Sequence, residues 1–246
     1  MFSTRRVKII IMDKKIGYIG LGKMGFNMVE RLLGRGYIFT VYDKSLEAVA
    51  KAVGIGAEGS ESVADLVNAL ESPRLIWLMS PHQTVDEILT EMLPYLKPGD
   101  TIIDGGNSPY RESVRRGKEL EEKSIRFLDI GVSGGPAGAR DGACLMIGGK
   151  KEVYQEYENI FADISAPNAY AYMGKCGAGH YTKMIHNGIE YGMMQAIAEG
   201  FNILKKSEFN LSMKNVARLY NHRSVIESRL VGNVHTHMAV SPRMEE

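Results

Sequence analysis

The sequence predicts an α/β protein: a Rossmann-type, doubly wound and mainly parallel sheet, followed by an incomplete all-helical domain. Three observations carry that prediction. Short β-type runs alternate with amphipathic helical stretches through about residue 175. A glycine-rich turn stands between the first strand and the first helix. After "MGKCGAG" (173–179) the strands stop and helical periodicity takes over.

In chain order the expected strands are "KIGYIG" (15–20), "YIFTVY" (37–42), "RLIWLM" (74–79), "TIIDG" (101–105), "RFLDIG" (126–131), "CLMIGG" (144–149) and "AYAYM" (169–173). Helices are expected near 24–34, 45–53, 61–71, 84–96, 109–123 and 151–164, then one long helix over 180–206 and at least one more over 211–232. "HTHMAVSPRMEE" (235–246) has no clear period and is expected to fray. The organisation read from this is an N-terminal extension (1–14), a dinucleotide-binding domain (15–178) and the start of a helical domain (179–246).

With 246 residues, 44% hydrophobic and 24% charged, the chain has the composition of a globular protein. Its net charge of +1 provides no global field for nucleic acid or an anionic membrane. Cys144 and Cys176 lie outside any metal-ligand or CxxC spacing and read as reduced thiols, which points to the cytoplasm. No metal-ligand cluster is evident, and no run of eighteen apolar residues marks a membrane span. The opening "MFSTRRVKIIIMDKK" superficially suggests a signal peptide. Lys8 interrupts its apolar run and Asp13-Lys14-Lys15 replace a cleavage site, so Met12 is the expected natural start.

"YIGLGKMG" places Gly20-x-Gly22-x-x-Gly25 directly after a strand and before a helix, with Leu21, Lys23 and Met24 between the glycines. Such a turn lets backbone approach a pyrophosphate, and the helix N-terminus favours its negative charge. A plain βα turn is the competing reading, but strand, helix and the later Asp43 all agree with a cofactor site. The Asp43 carboxylate can accept from ribose hydroxyls and repels a 2′-phosphate, favouring NAD over NADP; Lys44 and Ser45 could partly reverse that.

Ligands of open α/β sheets bind beyond the carboxyl ends of the strands. "SPHQ" (80–83), "GGNS" (105–108) and "VSGGPAGARDG" (132–142) are such loops. Asn107 offers an amide to a ligand hydroxyl or carboxamide, although asparagine also simply suits turns. Ser133-Gly134-Gly135 offers a hydroxyl and backbone N–H groups suited to a carboxylate.

In "GHYTKMIHNGIEYG" (179–192), Lys183, His186, Asn187, Glu190 and Tyr191 fall within an arc of about 140°. Met184, Ile185, Ile189 and Met193 share the opposite arc with Gly188 and Gly192. A polar arc is ordinarily a solvated face. Glycine costs about 1 kcal/mol in a helix, so Gly188 and Gly192 predict tight packing behind the polar arc. A lysine held in a cleft loses charge readily and can act as a general base, with a carboxyl such as Glu190 as acid.

"GLGKMG" (20–25), "IWLMSP" (76–81), "IIDGGNS" (102–108), "FLDIGVSGG" (127–135), "LMIGG" (145–149) and "GAGHYTKMIHNGIEYGMMQAIAEG" (177–200) together resemble decarboxylating 6-phosphogluconate dehydrogenases. The resemblance implies Lys183 as general base and Glu190 as general acid, with no metal. It implies sugar-acid binding by Asn107, Ser133, Gly134, Gly135, His186, Asn187 and Tyr191. The cofactor would lie against residues 20–25, Asp43, Lys44, Ser45, Ser80, Pro81 and Asn107. The partner would be a small sugar-acid phosphate, and a homodimer or higher oligomer is expected. Ser80-Pro81-His82-Gln83 stands where the family usually has Val-Pro-Ala-Gly, and Tyr220 and Arg223 replace a typical Trp and Gly. The alternatives are another β-hydroxyacid dehydrogenase, of the 3-hydroxyisobutyrate kind, or an inactive dinucleotide-binding fragment. The former would not be expected to carry "IDGGNS" or the full His186–Tyr191 set.

Overall fold

A computed structural model describes residues 15–240; the expected N-terminal extension, the Met12 start and residues 241–246 lie outside the described residues. The strands are β1 (Lys15–Ile19), β2 (Ile38–Tyr42), β3 (Glu58–Gly59), β4 (Leu75–Leu78), β5 (Thr101–Asp104), β6 (Arg126–Ser133), β7 (Ala143–Gly149) and β8 (Ser165–Gly174). The helices among them are α1 (Lys23–Leu33), α2 (Leu46–Gly54), α3 (Val63–Asn68), α4 (Val85–Met92), α5 (Tyr110–Glu121), α6 (Gly135–Asp141), α7 (Lys151–Glu156) and α8 (Glu158–Ile164). Three further helices follow: α9 (Ala178–Lys205), α10 (Met213–Tyr220) and α11 (Arg229–Val240).

The strands form one sheet in the order β3-β2-β1-β4-β5-β6-β7-β8, the doubly wound order the alternation predicts. Every neighbouring pair is parallel except β6 and β7. The reason lies in the connection: a parallel crossover needs roughly a dozen residues or more, and 134–142 holds only the short α6. Strand alternation divides the core between the two faces. Leu75 and Trp77 of β4 pack with α1 residues Met28, Val29 and Leu32, whereas Ile76 and Leu78 pack with Leu66, Ile88, Met92 and Leu120.

Several expectations need correction. Residues 135–141, read as loop, form α6; its glycines and Pro136 give weak helix propensity, but Gly138 and Ala139 are buried. The single helix expected over 151–164 breaks at Tyr157, whose buried hydroxyl lies 3.2 Å from Thr101 Oγ1. The stretch 211–232, expected to hold at least one helix, holds α10 and the start of α11, whereas residues 235–240, expected to fray, complete α11. β3 and the first part of β8 carried no clear period.

The described chain divides after Met184 into two compact units, with α9 passing from one to the other. The second unit has its own small core, where Met213, Ala217 and Met238 pack with Phe201, Leu204, Val216 and Val234. Ser212 caps α10 by accepting from Asn215 N at 3.3 Å. No helix of the described residues is long and apolar enough to cross a membrane.

Candidate functional site

The glycine turn is built by close backbone contacts. Gly20 has φ +99°, and a Cβ there would lie 2.6 Å from the Met79 carbonyl oxygen. A Cβ at Gly25 would run into the Gly20 carbonyl oxygen and meet the Tyr18 ring at 3.3 Å. Gly22 differs: a Cβ there meets nothing within 4 Å. Gly22 is also the N-cap of α1 and offers no side chain, so the first N–H groups of that helix remain open to an anion. These features fit a dinucleotide pyrophosphate lying against residues 20–25.

Asp43, just beyond β2, accepts from Leu21 N at 2.6 Å and from Ser45 N at 2.8 Å. The carboxylate thus shapes the glycine turn while standing where the sequence places a ribose contact. Ser45 caps α2 through Ala48 N at 3.3 Å, and Lys44 pairs with Glu87 at 3.4 Å.

The loops after β4 and β5 meet this turn. Ser80 N would lie 3.1 Å from a Cβ on Gly20, and Ser80 O 2.6 Å from one on Gly106. The Ser80 hydroxyl is buried with no hydrogen-bond partner among the described residues, whereas Pro81 is exposed. Asn107 is exposed at the tip of a turn that Asp104 organises. The fully buried Asp104 carboxylate accepts from Gly106 N at 3.1 Å and Ser108 Oγ at 2.7 Å. Arg116, only 2% exposed, ties the two loops together. Its guanidinium donates to His82 O at 3.1 Å, Asp86 Oδ1 at 2.8 Å and Ser108 Oγ at 3.2 Å. Asp86 is pulled below the usual carboxylate range to about 2, chiefly by the Arg116 hydrogen bonds, with Arg115 adding and burial opposing.

At the end of β6, Ser133 and Gly134 are half-buried and Gly135 is exposed. Pro136, just beyond, accepts from Asn27 Nδ2 of α1 at 2.8 Å, which brings this loop beside the glycine-turn helix. Lys183 Nζ donates to Val132 O, one residue before Ser133. The first unit thus gathers the glycine turn, the Ser80 and Asn107 loops, the Ser133 segment and Lys183 at the carboxyl ends of β1, β4, β5 and β6.

The start of α9 is fixed by Asp129, a fully buried residue of β6 that accepts from Gly177 N at 2.7 Å and His180 N at 2.8 Å. Such a carboxylate also complements the helix dipole. In the second unit, α9 carries His186, Asn187 and Glu190 half-buried and Tyr191 exposed. His186 Nδ1 lies 3.2 Å from Asn187 Oδ1 and 3.8 Å from Glu190 Oε2.

Contrary to expectation, nothing among the described residues packs tightly behind Gly188 and Gly192. A Cβ at either meets nothing within 4 Å, and Met184, Ile185, Ile189 and Met193 of the same arc are exposed. Close packing belongs to the first turn of α9, where a Cβ on Gly179 would meet the backbone of Asp129, Met146 and Gly148. Sequence reading also missed Asp104, Arg116, Asp129 and His180. The available signal was an aspartate inside each of the apolar runs "TIIDG" and "RFLDIG".

Comparison with known proteins matches residues 15–177 to the NAD binding domain of 6-phosphogluconate dehydrogenase and residues 179–231 to its C-terminal domain. The NAD(+)-dependent, decarboxylating 6-phosphogluconate dehydrogenase of Haloferax volcanii is 45% identical over 219 residues, covering 88% of this chain and 72% of the relative. The solved Plasmodium falciparum 6-phosphogluconate dehydrogenase, described with its cofactor NADP+ and its substrate 6-phosphogluconate, superposes with a TM-score of 0.83 at 36% identity. That match covers 92% of this chain and 51% of the other. A Mycobacterium tuberculosis 3-hydroxyisobutyrate dehydrogenase reaches a TM-score of 0.78 at 23% identity, over 89% of this chain and 73% of that one, a likeness of fold alone.

Proposed function

Because this chain belongs to the 6-phosphogluconate dehydrogenase family, we propose that it oxidises and decarboxylates 6-phosphogluconate to a ribulose 5-phosphate-type product, using a nicotinamide dinucleotide. The observation that carries the chemistry is the Lys183 amine at the Val132 carbonyl, beside Ser133 at the carboxyl end of β6. A nicotinamide dinucleotide bound against residues 20–25 would supply the acceptor for the hydride that leaves C3. Lys183 accepts the proton of the C3 hydroxyl, which leaves a β-keto acid. Loss of CO2 then passes its electron pair towards the new carbonyl, and Lys183 returns the proton to the enol oxygen. Glu190, two turns further along α9, protonates the carbon that becomes C1 of the product while Lys183 takes back the enol O–H proton, which leaves the ketone.

Asn107 and the Ser133–Gly135 segment hold the sugar acid in this scheme, with His186, Asn187 and Tyr191 of α9 completing its contacts. Residues 20–25, Asp43, Lys44, Ser45, Ser80 and Pro81 line the cofactor, with Asn107 reaching both ligands. NAD is favoured over NADP because a 2′-phosphate would face the Asp43 carboxylate. Lys44, whose charge would oppose that preference, is paired with Glu87.

The test is formation of reduced cofactor with 6-phosphogluconate, run with NAD and NADP in parallel while CO2 is followed. Turnover with CO2 release, faster with NAD, is expected. Cofactor binding without substrate-dependent reduction would reduce the chain to a dinucleotide-binding module.

A further inference from the structure

His180 takes no part in the chemistry above, yet it is 2% exposed and both of its ring nitrogens are engaged. Nε2 lies 3.2 Å from Gly106 O and Nδ1 lies 2.7 Å from Ser113 Oγ. A carbonyl oxygen only accepts, so Nε2 donates to Gly106 O, while Nδ1 and the Ser113 hydroxyl share the second hydrogen bond. Asp129 Oδ2, 3.9 Å from Nδ1, takes the His180 backbone N–H instead.

The imidazole therefore joins three elements. It grips the carbonyl immediately before Asn107, it leans on Ser113 of α5, and it rides on the first turn of α9, three residues before Lys183. Asp104 fixes the Asn107 turn to its own strand, while His180 fixes it to the helix that carries the base. We propose that His180 is a positioning residue that holds the Asn107 turn in register with Lys183 through its Gly106 and Ser113 hydrogen bonds. This rests on the reading of Asn107 and Lys183 as substrate groups. Being buried, His180 acts through Gly106 and Asn107 and not on the substrate.

His180→Leu keeps bulk and removes both hydrogen bonds; His180→Gln supplies an amide donor and acceptor in their place. Two measurements are made on each full-length variant: kcat and KM for 6-phosphogluconate with NAD, and amide hydrogen exchange of peptides covering residues 105–108. A misplacement of about 1 Å costs up to roughly 100-fold in rate, so His180→Leu should lose about 10- to 100-fold in kcat with NAD affinity unchanged. Exchange at 105–108 should accelerate, and His180→Gln should restore most of both. Ser113→Ala, which removes only the hydroxyl, should show faster exchange and lower kcat than His180→Gln. Native kcat in His180→Leu, equal losses in the Leu and Gln variants, or unchanged exchange at 105–108 would each overturn the proposal. If the wild-type protein does not turn over 6-phosphogluconate but the exchange pattern follows these expectations, the latch stands and the substrate assignment falls.

Discussion

Replacing Gly179 by alanine puts a methyl group where the first turn of α9 meets the sheet, main chain against main chain. The new Cβ would lie 2.5 Å from Met146 O and 2.9 Å from Gly148 N, and closer still to Asp129 O. None of these atoms can swing aside as a side chain would. Ordinary contact begins near 3.4 Å, so the turn must shift by about 1 Å. Overpacking of this kind costs about 1–3 kcal/mol. The shift also strains the Gly177 and His180 hydrogen bonds to Asp129, and bonds to a charged group are worth about 1.5–3 kcal/mol each. Partial loss of that pair brings the total to about 3–5 kcal/mol, offset by the ~1 kcal/mol that alanine gains over glycine in a helix. A net loss of about 2–4 kcal/mol is expected. Urea unfolding reports it through Trp77, the chain's one tryptophan, buried in the first unit. Gly188→Ala is the comparison: with nothing within 4 Å of its Cβ, it should gain up to ~1 kcal/mol in a thermal melt followed by circular dichroism. A Gly179→Ala midpoint equal to wild type, or a larger loss from Gly188→Ala, would refute the placement of close packing at the start of α9.

Lys183→Met should abolish 6-phosphogluconate turnover while leaving NAD affinity, measured by fluorescence titration, nearly intact; near-normal kcat would remove Lys183 as the base. Asp43→Ala should erode the NAD over NADP preference in kcat/KM, and an unchanged ratio would detach Asp43 from cofactor choice. Asp86 is held at about 2, below its ordinary 3.8, so its stabilisation is full above about pH 4 and is lost as pH falls through about 2. Half exposure of its side chain screens the pair, leaving about 1 kcal/mol, and Asp86→Asn should flatten the acid limb of the urea midpoint between those values. Arg223 sits at φ +59°, the left-handed region that favours glycine, so Arg223→Gly should stabilise the second unit by about 1 kcal/mol in a thermal melt. The Arg223 N–H bond to Glu227, 2.7 Å long, is a backbone bond that glycine keeps, so no gain would refute the cost assigned to the left-handed conformation.

The glycine turn and Asp43 were legible because the residues that make a βα turn are contiguous, and their spacing alone states the local geometry. Lys183 was legible through helical period, but that period could not say which arc of α9 is covered. Ile189 on the apolar arc is 61% exposed while Lys183, His186 and Glu190 are half-buried, the reverse of an ordinary surface helix. His180, Asp129 and Arg116 were illegible for another reason. His180 meets Gly106 across 74 positions and Ser113 across 67, and no short window of sequence contains both partners.

By itself, then, the sequence determined most of the order of strands and helices, the glycine-rich turn after β1 and the polar residues of α9, because these follow from neighbours within a few turns. Only the tertiary structure decided that β7 runs antiparallel, that α6 forms against its weak propensity, and that α9 touches the sheet at Gly179 and not at Gly188. Those outcomes depend on which backbones are forced together when the sheet closes over its two cores, and that is set by burial across the whole chain.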